Sequence, residues 1–298
     1  MAQVLGVGVA TVDIINTVAV YPSENGEVRA LDQRILRGGN CTNTLVVLSL
    51  LGHRCTWAGT LGDDPDSRLV ITDLSAHGVN LDPVCRVSRA KTPVSYITLS
   101  QATGSRTIVH YRQLPEFSAE DFARIDLAPF QWLHFEGRHV ADTAAMLQRA
   151  AKLRTDAPIS VEIEKPRPHV QRLFPRADVL FFSRHYAEAC GFADGPAFLK
   201  AMEGLAPKAE RVLAWGERGG YVALPGEAEP LHAPATPLSR VVDTLGAGDT
   251  FNAAYIDARL RDLAPAEALT RACLLAGRKC AQRGLEVADA GTGEGSMS

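Results

Sequence analysis

The stretch DTLGAGDTFNA, residues 243–253, tells most about the fold and about where the chemistry takes place. Three small residues, Gly246, Ala247 and Gly248, precede a segment of helical character. Small residues let a ligand approach the backbone closely, and a helix start presents unpaired N–H groups with a partial positive charge. We therefore predict a helix over residues 248–261 whose first turn binds an anion such as phosphate.

Asp249 lies in the first turn of this predicted helix, beside the expected anion. A carboxylate next to a phosphoryl group is unfavourable unless it has a task, and accepting a proton from an attacking hydroxyl is such a task. The alternative is a plain helix cap, because Asp is a preferred capping residue. The residue alone leaves both interpretations open.

Apolar runs and helical stretches alternate along most of the chain. Strands are predicted at residues 4–9, 54–60, 81–87, 130–135, 158–163, 178–183 and 211–215. Helices are predicted at residues 40–51, 65–77, 140–154, 184–190, 195–205, 248–261 and 265–284. This alternation indicates an α/β fold with a mainly parallel central sheet flanked by helices on both faces.

Two extended segments, near residues 14–36 and 93–111, interrupt the alternation and contain turn residues. We expect them to form a small separate sheet, a lid that covers one end of the main sheet. The sequence thus predicts one domain over residues 1–285, into which the lid strands are inserted. The small, polar residues 286–298 are predicted to be a disordered tail.

Composition excludes several classes of function. The 31 basic and 34 acidic residues give a net charge of −3, which argues against a nucleic-acid partner. No run of 18 apolar residues occurs, so we expect no membrane span. The six cysteines have no zinc-ligand spacing and the N-terminus has no export signal. Reduced thiols and a cytoplasmic location are therefore expected.

The DTLGAGD string resembles the C-terminal signature of the ribokinase (PfkB) family of carbohydrate kinases. An N-terminal signature is present as well, in residues 38–40 followed by Asn43. The resemblance covers residues 4–287 and implies a ribokinase-like sandwich with a β-sheet lid over the sugar. It also implies that Asp249 is the catalytic base and that the backbone of residues 246–248 forms an anion hole for the transferred phosphoryl group.

Within the family, the chain is similar to the ketohexokinases. The similar stretches are residues 37–40, 47–52, 136–138, 162–167, 240–253 and 273–280. This resemblance implies that ATP phosphorylates D-fructose at its C1 hydroxyl. Ribose, adenosine or another ketose remain alternative acceptors. A non-catalytic sugar-binding protein remains an alternative function. The intact Asp249 argues against the last of these. A nicotinamide-dependent oxidoreductase is disfavoured because the G-x-G-x-x-G pattern fails at Thr11.

The resemblance also assigns binding residues. The sugar hydroxyls are expected to be held by Asp13, Gly39, Asn40, Asn43 and Asp249. Asn offers a donor and an acceptor together, which suits hydroxyl groups. For Asp13 the alternative is a loop residue that binds its own turn, and for Asn40 it is a simple helix cap.

The nucleotide is expected to contact Arg106, Gly216, Glu217, Arg218, Gly219, Gly246, Ala247, Gly248 and Cys273. The alternative for Arg106 is an ordinary exposed charge on an edge strand, and the alternative for residues 215–219 is a hairpin turn. Glu136 and Lys165 end two predicted strands at the same sheet edge and are weaker candidates for this site.

The sequence also allows predictions about metal ions and about partner subunits. The family's Asn-x-x-Glu motif, which helps to organise magnesium, is missing, because residues 183–186 read SRHY. No metal ligand from the protein is therefore predicted, and Mg²⁺ should bind through the phosphates of ATP and water. K⁺ is a further candidate ion. We also expect a homodimer in which the lid strands of two subunits meet, because the lid has open edges.

Overall fold

The computed structural model describes residues 1–153 and 157–286. Strands of the main sheet are β1 Gln3–Val7, β4 Arg54–Ala58, β9 Trp132–Glu136, β10 Ile159–Ile163, β11 Val179–Ser183, β12 Glu210–Ala214, β13 Gly220–Ala223 and β14 Leu231–Ala233. Their order is β14-β13-β12-β11-β10-β9-β1-β4. The strands from β12 to β4 are parallel, and β13 and β14 are antiparallel. The predicted mainly parallel sheet is confirmed.

Helices cover both faces of this sheet. They are α1 Asn40–Leu50, α2 Pro65–Ala76, α3 Ala119–Phe122, α4 Val140–Leu153, α5 Arg184–Ala189, α6 Gly195–Ala201, α7 Ala247–Leu260 and α8 Pro265–Cys280. Consecutive residues such as Phe181 and Phe182 belong to different hydrophobic cores, because successive side chains of a strand point to opposite faces. Helices α1, α7 and α8 pack on the Phe181 face. No helix among the described residues is long and apolar enough to cross a membrane.

The second sheet is the predicted lid. Its strands are β2 Thr11–Val18, β3 Asp32–Gly38, β7 Val94–Ser100 and β8 Arg106–Tyr111, in the order β3-β2-β7-β8. The first of them begins four residues after β1 ends, so the lid follows directly from the carboxyl end of a parallel strand of the main sheet. Ligands of open α/β sheets bind at this end of the strands, and the lid therefore adjoins the region where a ligand is expected.

Several predicted boundaries were wrong. The strand predicted at residues 54–60 breaks at Gly59, where an added Cβ would overlap the Trp57 ring. A separate pair, β5 Thr60–Gly62 and β6 Cys85–Val87, follows the break, so most of the strand predicted at 81–87 is loop.

The helices predicted at 195–205 and 265–284 end earlier, at Ala201 and Cys280, because Gly204 and Gly284 follow. Strands β13 and β14 were missed, since three or four residues show too little periodicity. Residue 154 of the helix predicted at 140–154 and residues 287–298 of the predicted tail lie outside the described residues.

Candidate active site

The first turn of α7 has no side-chain cap. Gly246 has a φ of +79°, a left-handed conformation that glycine adopts without strain, and an added Cβ there would overlap Leu285. The helix begins at Ala247 with no side-chain cap. Among the described residues, the N–H groups of Gly248 and Asp249 have no hydrogen-bond partner. Two free donors at a helix start are suited to bind an anion, as the sequence prediction requires.

Several other helices of this chain have a side-chain cap. The side chains of Asp64, Ser183 and Asp194 accept hydrogen bonds from the first-turn amides of α2, α5 and α6. These side chains satisfy donors that would otherwise be left free. The uncapped start of α7 differs from these helices, and it lies where a ligand is expected.

Asp249 is held by a chain of hydrogen bonds. Asn43 on α1 donates from Nδ2 to Asp249 Oδ2 at 2.7 Å, and Arg37 donates to Asn43 Oδ1 at 2.7 Å. The Arg37 guanidinium is itself bound by the Asp73 carboxylate. Because Arg37 takes the amide oxygen of Asn43, the amide N–H₂ must face Asp249. The sequence predicted both Asn43 and Asp249 but missed the residues that orient them.

Burial sets the charge state of Asp249. The side chain is 7% exposed, and burial, with help from the negative charges of Glu164 and Glu136, raises its pKa to about 8. The hydrogen bond from Asn43 and the charge of Arg37 oppose this shift. A carboxylate whose pKa lies near the working pH accepts a proton efficiently, which suits a general base.

The other predicted sugar ligands lie on the same side of the site. Asp13 on β2 accepts a hydrogen bond from the Thr11 hydroxyl at 2.8 Å, and burial raises its pKa. The charge of Arg37 acts on Asp13 as well as on Asp249. Gly39 has a φ of +110°, and an added Cβ would overlap the Val9 carbonyl, so this turn requires glycine.

Glu136 supports the start of α1 and does not face open space. Its Oε1 accepts hydrogen bonds from the backbone of Val9 at 3.1 Å and of Cys41 at 2.9 Å. The carboxylate thus fixes the first turn of α1, which carries Asn40 and Asn43. Lys165, the other weak candidate, is half exposed and forms an ion pair with its neighbour, Glu164.

The structure brings some of the predicted nucleotide ligands together. Arg106 on β8 donates to the Thr244 hydroxyl at 3.3 Å, so it lies beside the loop that leads into α7. Glu217 lies in a 3₁₀ turn after β12 but binds Arg184 at 3.0 Å instead of approaching α7. The Cys273 thiol is buried in α8 and donates to the Ala233 carbonyl at 3.6 Å. The side chains of Glu217 and Cys273 are therefore engaged elsewhere.

Two cationic side chains that the sequence did not reveal hold the loop before α7. Lys279 is fully buried and donates to the Asp243 carbonyl at 2.8 Å, with its ammonium 3.7 Å from the carboxylate. Arg34, on the lid strand β3, reaches the same carboxylate at 3.4 Å. Asp243 Oδ1 accepts from the Leu245 amide. A lysine in a polar helix stretch gives no sequence signal for such a contact.

A buried carboxylate beside an uncapped helix start defines the site of a phosphotransferase with an alcohol acceptor. The family described as pfkB family carbohydrate kinase matches residues 1–289, and the chain belongs to this family. It is 41% identical to ketohexokinase of Mus musculus over an alignment of 295 positions that covers 95% of this chain and 98% of that protein.

More distant relatives and solved structures agree with the family. An ATP-dependent ribose-1-phosphate kinase of Halopiger xanaduensis is 28% identical, and the match covers 97% of both chains. The structure of Arabidopsis thaliana ribokinase complexed with ribose and ATP superposes with a TM-score of 0.76 at 21% identity, over 95% of this chain and 94% of that one. Ribokinase from Giardia lamblia gives 0.79 at 16% identity, over 96% of both chains. These two structures support the ribokinase-like fold.

The first prediction concerns Asp249→Asn. We expect this variant to bind ATP but to lose about 10² to 10⁴ in turnover, because the general base is gone. In the parent enzyme kcat/KM should rise with pH through about 8, the pKa of Asp249. The variant should lack this dependence. A coupled assay of ADP release over a pH series measures both, and near-normal turnover would remove Asp249 from the mechanism.

The melting temperature of the same variant is its control for folding. The pKa of Asp249 is 3.8 in an unfolded chain and raised in the folded one, so the folded state holds its proton more tightly. The free energy of unfolding therefore falls as the pH rises from 3.8 through about 8. Asp249→Asn should melt at a higher temperature than the parent at pH 8, with little difference at pH 4. A lower melting temperature at pH 8 would indicate a folding defect.

The second prediction concerns Gly248→Val. An added Cβ at Gly248 meets no protein atom within 4 Å, so the variant should fold. The side chain would instead occupy the space in front of the free N–H groups, and kcat/KM for ATP should fall by about 10². Gly204 also has open space around its Cβ position but lies away from the site, which makes Gly204→Val the matched control. Equal kinetics for the two variants would place the phosphate elsewhere.

Proposed function

We propose that this enzyme transfers the γ-phosphate of ATP to the C1 hydroxyl of D-fructose. The observation that carries the proposal is the pairing of Asp249 with Asn43 next to the two free amides at the start of α7. The identity of 41% with mouse ketohexokinase over nearly the whole chain supports fructose as the acceptor. All six cysteines are free, which supports a cytoplasmic location.

In the proposed reaction Asp249 takes the proton of the C1 hydroxyl as the hydroxyl oxygen attacks the γ-phosphorus. The bond from this phosphorus to the β–γ bridging oxygen breaks, and ADP leaves. The N–H groups of Gly248 and Asp249 donate to the phosphoryl oxygens, whose negative charge must be stabilised during transfer. Asn43 keeps the carboxylate in place, while Asp13 and Asn40 bind the other hydroxyls of the sugar. Arg106, beside Thr244, supplies positive charge toward the phosphates.

Metal ions are proposed to arrive with the substrate. In residues 1–153 and 157–286 no three side chains of His, Cys, Asp or Glu are arranged to hold a metal ion. Mg²⁺ that is bound by phosphate oxygens and water needs no such set of protein ligands. Bound in this way, Mg²⁺ would neutralise charge on the phosphates. We also propose K⁺ as an activating ion, on the family resemblance alone.

Another acceptor is the second candidate. The more distant relatives include ribokinases and the ribose-1-phosphate kinase, and the geometry around Asp249 does not select one sugar. A hydrogen-bonding pocket discriminates strongly against a sugar that lacks a bonded hydroxyl. A screen of ADP release with fructose, other ketoses, ribose and adenosine therefore tests the assignment directly.

The third prediction is the identity of the product. With D-fructose and MgATP we expect fructose 1-phosphate, because the pocket that resembles the ketohexokinases would place C1 in line with the γ-phosphate. Phosphorus NMR, with both fructose monophosphates as standards, distinguishes this product from the 6-phosphate. A 6-phosphate would mean that the ring lies the other way round. Rapid turnover of ribose or adenosine without turnover of fructose would exclude the fructose assignment and retain the kinase.

The lid carries the surface that we propose for a homodimer. Strand pairing places Ile35, Ile14, Tyr96 and Val109 in one row across all four lid strands. Residues paired in this way lie on the same face of a sheet. Ile35, Tyr96 and Val109 are 51%, 44% and 65% exposed. An apolar row of this kind is typical of an interface, and a second copy of the lid offers the same row by symmetry.

The fourth prediction tests this interface. Light scattering at micromolar concentration should show a dimer for the parent and a monomer for Val109→Asp, because the buried charge would lack a partner. Leu205→Asp is the matched control, since Leu205 is also exposed, at 43%, but lies after α6, far along the chain from the lid. A monomeric parent, or a dimer that survives Val109→Asp, would count against the lid interface.

A further inference from the structure

Glu162 is a buried carboxyl group to which the proposed reaction gives no task. It lies on β10 and is 8% exposed. Its neighbours Val161 and Ile163 belong to the core on the opposite face of the sheet. Because side chains alternate along a strand, Glu162 faces the side of α1 and α7, in register with Glu136 and Phe181.

One oxygen of Glu162 joins two helices. Its Oε1 accepts hydrogen bonds from Asn40 Nδ2 at 3.3 Å and from Asn252 Nδ2 at 3.2 Å. Asn40 is the first residue of α1 and belongs to the set proposed to bind the sugar. Asn252 lies on α7, three residues after Asp249. The carboxyl group thus lies between the sugar-binding helix and the helix that carries the base.

We propose that Glu162 is a positioning residue that fixes Asn40, and with it the sugar, relative to Asp249 through this shared oxygen. The inference rests on the proposed function, because that function assigns Asn40 to the sugar. A polar group held by two partners on different elements keeps their separation constant, which matters where an in-line attack requires accurate placement. Asn43 ties the same two helices on the other side of the site.

The charges around Glu162 affect whether its side chain is protonated or ionised. The charged groups that act on it are Asp249 from α7, Glu136 from β9 and Glu164 just after β10, all acidic. In the described part of the chain it has no ion pair, and its Oε2 is buried without a partner. Burial, and next the charge of Asp249, raise the pKa of Glu162 well above its usual range. Burial and the neighbouring charge of Asp249 therefore favour the protonated form of Glu162.

The test compares variants at position 162. Glu162→Met keeps the length but removes the acceptor, and KM for the sugar should rise about tenfold while KM for ATP stays within about twofold. Glu162→Asp is too short to reach both amides and should show the same rise. Glu162→Gln resembles the neutral acid and should restore the sugar KM. Glu120→Gln, on α3 with an exposed side chain that pairs with Arg124, is the matched control and should change neither KM.

Two further measurements separate positioning from a merely structural role. The acidic limb of the kcat/KM profile should lie at the same pH in Glu162→Gln as in the parent. The infrared difference spectrum between the parent and this variant at pH 7 should contain a carboxylic acid band. A carboxylate band, or a limb shifted to lower pH, would mean that Glu162 is ionised and would overturn the proposed form. An unchanged sugar KM in both Glu162→Met and Glu162→Asp would overturn the positioning role.

The substrate assignment is tested separately. All KM ratios are measured with the sugar that the parent phosphorylates. If the parent acts on ribose and not on fructose, the proposed function fails while the inference on Glu162 is tested with ribose. The infrared measurement needs no substrate, so it reports on Glu162 whatever the sugar is.

Discussion

The hydrogen bond between Asn43 and Asp249 is the contact on which the site depends. It joins two residues 206 positions apart and holds the starts of α1 and α7 face to face. Without it, a buried carboxylate would lose its nearest donor, at a cost of about 1–3 kcal/mol or more. Arg37 orients the amide of Asn43, and Asp73 orients Arg37. Asp249 is thus placed by a series of polar contacts that run inward from the surface of α2.

The lid is connected directly to the loop before α7. Arg34 and Arg106 lie on the two edge strands of the lid, and both reach this loop, at Asp243 and Thr244. Lys279 holds the same loop from α8. A displacement of the lid would therefore be transmitted to the start of α7 through direct contacts. Within residues 1–153 and 157–286 the Arg106 guanidinium has only the Thr244 hydroxyl as its partner, so it keeps most of its donors for a ligand.

The sequence predicted those features that depend on local chemistry. The small residues before α7 and the turn residues between lid strands act within a few positions, so the open helix start and the separate sheet could be inferred correctly. The partners of Glu162 and Lys279 could not, because a carboxyl group in a strand and a lysine in a helix acquire their roles only from packing of distant segments. The contact of Glu217 with Arg184 was missed for the same reason.

The position of β1 between β4 and β9 in the main sheet has a consequence for biosynthesis. Val4 pairs with Cys55 on one side and with Trp132 on the other, so the first strand cannot be completed until β9 has left the ribosome. Parallel pairing over such separations is slow. All four lid strands, with their apolar row, emerge during this interval. Strand edges exposed in this way are prone to association, and the nascent chain is at greatest risk of aggregation before residue 132 becomes available.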